Sequence, residues 1–134
     1  ANKMPSEYFP EHVWDKLTDI EKSDYSDSAK CFMLDSGTPS VMVSLRGAEA
    51  SLRNYFETIS GEPAEKKTWG QMTNALKTKA EELGIDDSFI SFLDYIGKAK
   101  RNIAQHPNKI YSIREAVIIF MQTVAMVEDI YAKI

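Results

Sequence analysis

The chain has a single cysteine, Cys31, and lacks the residue patterns that mark common metal and nucleotide sites. One cysteine excludes an intramolecular disulfide and a cysteine-rich metal centre. The sequence contains no GxxxxGK[ST] phosphate loop, no GxGxxG and no HExxH, and its His, Cys and carboxylate residues do not cluster at metal-ligand spacing. We therefore expect no bound metal and no cofactor.

Long apolar runs are also missing. The longest, Ala116 to Met121, is far below the roughly 20 residues that cross a bilayer. No segment has the charged, apolar and small-residue order of a signal peptide. These absences predict a cytoplasmic protein with no membrane partner.

Glycine and proline are scarce, at six and five of 134 residues, and no stretch alternates with the period of a strand. Apolar residues instead recur at spacings of three and four, which is typical of amphipathic helices. Short connections favour antiparallel neighbours. We predict one all-α domain over residues 1–134, an antiparallel bundle of five to six helices.

Local signals predict the ends of the first three helices. A short first helix follows Pro10 and turns residues as far as Ile20 inward, and a second begins at Ser26 or Asp27 and ends at Gly37. A long third helix has Thr38 as its N-cap and Gly61 as its stop. Its outer face is predicted to form a solvated salt-bridge ladder at three and four spacing, with the members Arg46, Glu49, Arg53 and Glu57.

The later helices are marked by capping boxes, which pair an N-cap hydroxyl with a Glu or Gln three residues on. Thr68 with Gln71 opens the fourth helix, which ends before Gly84, and Asp86 or Asp87 caps the fifth. Ser112 with Glu115 opens a last helix that runs to Ile134. Because Val117 to Met121 is apolar on all sides, we predict that this last helix is the most buried one.

Charge is distributed unevenly along the chain, whose net charge is −4. Residues 1–36 carry eight acids and four bases, whereas the rest of the chain is balanced. Residues 97–109 carry four bases and no acid, namely Lys98, Lys100, Arg101 and Lys109. This local positive segment is where an anionic ligand is expected.

The stretch AKRNIAQHPNK, residues 99–109, combines an arginine, an asparagine and a histidine. On a straight helix Arg101 and His106 would point roughly 140° apart. Pro107 disfavours the helical conformation at His106, so the helix should end near Ala104 or Gln105 and free the histidine to turn toward the same ligand. On the same ideal helix, Arg101 points away from the apolar face, so its side chain is expected in solvent or in an interface.

These residue types are the minimum for metal-free cleavage of a phosphodiester. Arginine binds phosphate oxygens, histidine transfers protons and an amide orients the reacting groups. RNA supplies its own nucleophile, the 2′-hydroxyl. Spacing alone leaves open that Arg101 and His106 merely contact helix carbonyls or solvent.

The segment Arg101 to Pro107, near the end of a penultimate helix, resembles the R-[N/H/D]-x(3-5)-H motif of HEPN (higher eukaryote and prokaryote nucleotide-binding) domains. The resemblance implies an HEPN-like helical bundle, a homodimer in which two motifs meet at a cleft, and metal-independent endoribonuclease activity. By this resemblance, His106 would act as the acid–base residue, Arg101 would stabilise the phosphate, and Asn102 would orient the histidine or the backbone.

The resemblance also implies partners and a wider RNA contact surface. RNA would contact Lys98, Lys100, Lys109 and Tyr111; some toxin members have a tyrosine two residues after the histidine, and Tyr111 is the nearest one here. The implied setting is toxin–antitoxin or phage defence, with a cognate antitoxin or other defence protein as partner. The alternative is a catalytically inactive interaction or nucleotide-binding module of a larger protein.

Overall fold

The computed structural model describes residues 3–134, which form helices joined by short loops and, within that range, no strand. This confirms the all-α prediction. A 3-10 turn at Pro5–Tyr8 precedes seven α-helices. They are α1 (Glu11–Trp14), α2 (Asp19–Met33), α3 (Gly37–Ser60), α4 (Trp69–Thr78), α5 (Ala80–Leu83), α6 (Asp87–Gln105) and α7 (Ile113–Lys133). In residues 3–134, none of the helices has both the length and the apolar content needed to span a membrane.

The centre of the bundle is α3, which contacts α2, α4, α6 and α7. The helix buries a stripe of apolar residues, Val41, Leu45, Ala48, Leu52 and Phe56. The prediction that α7 is the most buried helix was wrong. α7 buries one face, including Phe120, while Ile118 and Met121 on the other face are 48% and 44% exposed. An apolar run shows that a helix tolerates burial on all sides, but the packing partners decide which sides are covered.

The predicted capping boxes of α4 and α7 are present. Thr68 Oγ1 accepts a hydrogen bond from the Gln71 N–H at 3.1 Å, and the Thr68 N–H donates to Gln71 Oε1 at 2.8 Å. Ser112 and Glu115 make the same reciprocal pair. Gly61 and Gly84 end α3 and α5 in the left-handed conformation, which glycine adopts without steric cost. The single fourth helix predicted between Thr68 and Gly84 is interrupted at Lys79 and forms α4 and α5, so the described residues have seven α-helices where five to six were predicted.

The predicted boundaries in the N-terminal third were wrong. Thr18 and Glu21 form a further capping box, so α2 begins at Asp19, several residues before the predicted start, and Ile20 lies exposed in its first turn. α2 ends at Met33, and Gly37 opens α3 instead of ending α2.

Thr38 has a different role from the predicted one. Ser36 stands at the N-cap position of α3, and Thr38 Oγ1 accepts the N–H of Tyr111 at 2.9 Å. A Cβ on Gly37 would lie 2.3 Å from the Tyr111 carbonyl oxygen, so the two backbones are in direct contact. The start of α3 therefore holds the loop between α6 and α7 in place.

The predicted ladder on α3 is only partly present. Glu49 and Arg53 form an ion pair at 3.0 Å. Arg46 pairs instead with buried Asp24 of α2 at 2.6 Å, and Glu57 accepts the N–H of Ala64 at 2.9 Å. Arg46 and Glu57 therefore bind α2 and the loop before α4 to α3, because these two segments pack against the face that was predicted to be solvated.

Trp69 fixes α4 against α6. Its indole N–H donates to the Leu93 carbonyl at 2.9 Å, and a Cβ on Gly97 would lie 2.6 Å from the indole ring. The absence of a side chain at Gly97 thus lets the two helices approach closely, next to the last turns of α6 that carry the motif.

Candidate functional site at the end of α6

The motif lies where α6 stops. The helix ends at Gln105, as predicted from Pro107, and His106 has φ −128° and ψ 66°, outside the helical region. Its N–H still donates to the Asn102 carbonyl at 2.9 Å. Arg101, Asn102 and His106 are all exposed, in agreement with the prediction that Arg101 stays out of the core.

The three motif side chains are uncommitted. Across residues 3–134, none of Arg101, Asn102 and His106 uses its side chain in an intramolecular hydrogen bond or ion pair. Water hydrogen-bonds these exposed polar groups, so their exposure carries no desolvation penalty, and their donors and acceptors stay free for a ligand.

Asn102 and His106 line a groove of about 540 Å³ between α6 and α7. The groove also has an aromatic wall, because Tyr95 lies two turns before Asn102 on α6 and is 55% exposed. Gln122 of α7 donates to the Tyr95 hydroxyl at 3.3 Å across the groove. Ile118 contributes an apolar surface, so the groove combines amides, an imidazole and a face on which a flat ring can pack.

Arg101 does not line that groove. It lines one groove beside the start of α4 and a second, smaller one of about 480 Å³ that lies farther along α4, between α4 and α6. α6 remains helical through Gln105, so the turn of the chain at His106 does not bring the two side chains into one groove. One protomer brings together Asn102 and His106, and it places Arg101 on an adjacent surface.

The predicted RNA-contacting lysines differ in their availability. Lys98 is exposed. Lys100 is half-buried against Glu49, with which it forms an ion pair, and burial lowers the pKa of its ammonium group. Lys109 pairs with Glu115 at 3.2 Å. Among residues 3–134, only Lys98 and Arg101 of the four local bases have no carboxylate partner.

Tyr111 is 9% exposed, and its ring lies 4.7 Å from the Lys109 ammonium. The Ser112 N–H and the Lys109 ammonium lower the pKa of Glu115, in that order of importance. Together with the bond from Tyr111 to Thr38, these contacts dock the loop that follows His106 onto the bundle.

A buried polar cluster shared by α2, α3 and α7 was not predicted from the sequence. The Glu21 carboxylate accepts hydrogen bonds from the Tyr131 hydroxyl at 2.7 and 2.9 Å, from the Ser51 hydroxyl and from the Thr18 N–H at 2.9 Å. Asn54 donates to the Tyr131 hydroxyl at 2.9 Å. Thr18 followed by Glu21 is a capping-box pattern, and it was the one signal in the sequence that could have located this carboxylate.

Two tyrosines of this region have raised pKa values. Burial raises the pKa of Tyr25 well above its ordinary value of 10.0, and its hydroxyl bonds Ser51 at 2.9 Å. Burial, followed by its hydrogen bond to Glu21, raises the pKa of Tyr131. Both phenols are therefore held neutral, and we assign the cluster a structural role.

Within the part of the chain that the structure describes, no three His, Cys, Asp or Glu side chains lie close enough together to hold a metal ion. Comparison with known proteins adds no assignment: no family model, no curated protein and no solved structure matches the chain. The resemblance to HEPN domains therefore rests on the motif itself.

Proposed function

We propose that this protein is a metal-independent endoribonuclease of HEPN type that acts as a homodimer. The observation that supports the proposal best is the state of the motif. Arg101, Asn102 and His106 are exposed and uncommitted at the end of a long helix, directly before Pro107. Catalytic groups need such access to substrate.

In the proposed reaction His106 accepts the proton of the RNA 2′-hydroxyl, and the 2′-oxygen attacks the adjacent phosphorus. The bond from phosphorus to the 5′-oxygen breaks, that oxygen takes up a proton from water as it leaves, and His106 then returns its proton to solvent. The products are a 2′,3′-cyclic phosphate and a 5′-hydroxyl. Arg101 stabilises the charge on the phosphate, and Asn102 orients the histidine.

A second copy would complete this arrangement. Arg101 and His106 of one protomer line different grooves. In the proposed two-fold pairing through the end of α6, each arginine would lie near the histidine of the other copy. Exposed apolar side chains near the groove, Ile110, Ile118 and Met121, provide surface for such pairing. The proposed setting is a cytoplasmic toxin–antitoxin or phage-defence system, with an antitoxin or another defence protein as partner.

The decisive assay incubates the protein with unstructured RNA in excess EDTA and analyses the fragment ends. We expect fragments with cyclic phosphate ends, loss of cleavage in His106→Ala, and full cleavage in His12→Ala. His12 is the matched control because it is the other histidine of the chain and is also exposed. Cleavage that persists unchanged in His106→Ala would contradict the assignment.

The oligomeric state is tested separately by sedimentation. A dimer that dissociates when Ile118 is replaced by Asp is the expected result. A protein that stays monomeric at all concentrations would exclude the paired-motif mechanism.

The α6–α7 groove also supports a second candidate function, an inactive nucleotide-binding or interaction module. A groove of about 540 Å³ with an exposed tyrosine and two amides fits a nucleotide without any need for proton transfer. Folded wild-type protein that binds nucleotides in this groove and leaves RNA intact would favour this module.

A further inference from the structure

A second groove, called the α4–α6 groove, lies between the start of α4 and the last turns of α6 and is also lined by α3 and by the loop before α4. It concentrates positive charge. Its volume is about 560 Å³. It is lined by one acid, Glu49, and by five bases, which are Arg53, Lys66, Lys67, Lys100 and Arg101. In a chain with a net charge of −4, this excess of bases defines a local anion-binding surface.

The basic groove is built by specific contacts. Arg53 donates to the carbonyls of Ala64 and Lys67 at 2.6 and 2.7 Å, which fixes the loop before α4 and places its two lysines at the groove. Lys66 is exposed and adopts the left-handed conformation, with φ 66°. Lys67 is half-buried, with its ammonium 5.9 Å from the Phe56 ring centroid.

The groove keeps a net positive charge after its internal pairing. Glu49 is shared between Arg53 and Lys100, so one carboxylate balances one of two cations. Within residues 3–134, Lys66 and Arg101 have no carboxylate partner. Their charges remain available to a ligand.

The basic groove continues toward the motif. Gly70 and Arg101 line both this groove and the smaller one that lies farther along α4, between α4 and α6. Tyr95 and Lys98 in turn line both the smaller groove and the α6–α7 groove that holds His106. A continuous surface therefore runs from Lys66 across α6 to His106.

We propose that this surface is the binding track of a single RNA strand. Phosphates of the strand lie in the α4–α6 groove against Lys66, Lys67 and Arg101, and one base stacks on Tyr95. Only the identification of the strand as RNA rests on the proposed function. The track gives Arg101 a second role, as the link between the groove that binds phosphates and the groove that carries the histidine.

The test measures fluorescence anisotropy of a labelled 12-nucleotide single-stranded RNA from 50 to 300 mM KCl, in the His106→Ala background so that the strand stays intact. For Lys66→Ala with Lys67→Ala we expect roughly tenfold weaker binding. We also expect a slope of log affinity against log salt that is shallower by about 0.7 for each lost phosphate contact. Lys30→Ala, an exposed lysine on α2, is the matched control and should bind like its parent.

The single variant Lys66→Ala is the control for misfolding of the double variant. Lys66 is exposed, whereas Lys67 packs on Phe56, so the single change removes a charge without removing packing. The single variant should show about half of the change in slope. Unchanged affinity and slope in both variants would overturn the track, as would a parent protein that fails to bind RNA at 50 mM KCl.

Tyr95 is tested in the same assay. Tyr95→Ala should lower affinity about tenfold without changing the salt slope, because stacking is not an ionic contact, whereas Tyr95→Phe should retain most of the affinity. Equal affinities for the parent and Tyr95→Ala would remove the base-stacking part of the proposal.

These results separate the track from the ribonuclease activity. RNA binding that depends on Lys66 in a protein that never cleaves RNA supports the track and refutes the nuclease. Cleavage that depends on His106 but is indifferent to Lys66 and Lys67 supports the nuclease and refutes the track.

Discussion

Two polar clusters in this protein have opposite environments. The Glu21 carboxylate, between α2, α3 and α7, is 0% exposed, and it accepts hydrogen bonds from two hydroxyls and a backbone N–H. His106, at the end of α6, is exposed, and its side chain has no partner within residues 3–134. The first cluster is saturated by the fold itself. The cluster at the end of α6 keeps its hydrogen-bond donors and acceptors free for another molecule.

The difference follows from where each cluster lies in the bundle. Glu21 sits in the first turn of a helix that two others cover, so water is excluded and each polar group must find a protein partner. His106 follows the last residue of α6, beside a proline that ends the helix. Polar residues are therefore informative about function only after their burial and partners are known.

Removing the buried carboxylate should have the largest effect on stability. In Glu21→Ala the hydroxyls of Tyr131 and Ser51 and the Thr18 N–H lose their acceptor inside the bundle. We expect the free energy of unfolding to fall by about 3 kcal/mol, measured by urea denaturation. Glu65→Ala, in an exposed loop, is the control and should change it by less than about 0.5 kcal/mol. A loss below about 1 kcal/mol in Glu21→Ala would show that the cluster is not a structural one.

The packing beneath the exposed cluster is tested at Gly97. A methyl group there collides with Trp69, so Gly97→Ala should destabilise the protein by about 2 kcal/mol and weaken RNA binding in the α4–α6 groove. Gly70→Ala is the matched control. Apart from its chain neighbours and the backbone of its own helix, nothing lies within 4 Å of its Cβ position, and alanine in α4 should stabilise the helix by up to about 1 kcal/mol. Equal stabilities of the two variants would mean that Trp69 does not hold α4 against α6.

The buried cluster also predicts how stability changes in alkali. The pKa of Tyr131 is higher in the folded protein than the ordinary value of 10.0. The stabilisation that the neutral phenol provides is therefore fully present below pH 10 and is lost as the pH rises toward the pKa of the folded protein. Tyr131→Phe should lose about 1 kcal/mol at neutral pH, because Glu21 loses a donor. Its stability should then fall less steeply than that of the wild type between pH 9.5 and 11. Parallel declines in denaturation experiments over this range would contradict the assignment.

The motif should show the smallest effect on stability. Asn102→Ala and His106→Ala remove exposed side chains without internal partners, so each should change the free energy of unfolding by less than about 0.5 kcal/mol. The same denaturation assay measures this. A loss above about 1 kcal/mol would mean that the motif is part of the scaffold, which would erase the contrast with Glu21.

Local chemistry made part of this structure predictable. The capping boxes at Thr68 and Ser112, the stop at Gly61 and the end of α6 before Pro107 depend on residues adjacent in sequence. The start of α2 was missed, although Thr18 and Glu21 carry the same chemistry, because the apolar spacing through Ile20 favoured one continuous first helix. Sequence signals succeed where one local preference dominates and fail where two compete.

The layout of the candidate site could be predicted less well. The exposure of Arg101 followed from the helical wheel, but its separation from the His106 groove depends on how α4 and α7 pack around α6. The pairing of Lys100 with Glu49 and of Lys109 with Glu115 could not be seen either, since it depends on side chains that only the tertiary fold places nearby.

The bond from the Tyr111 N–H to Thr38 gives the molecule an internal reporter. The amide belongs to the segment that follows His106, and its acceptor belongs to the first turn of the central helix. Its hydrogen–deuterium exchange rate therefore measures how often this loop lifts from the bundle, independently of any substrate. If that rate falls when RNA or a second protomer binds, it gives the free energy by which the ligand closes the loop.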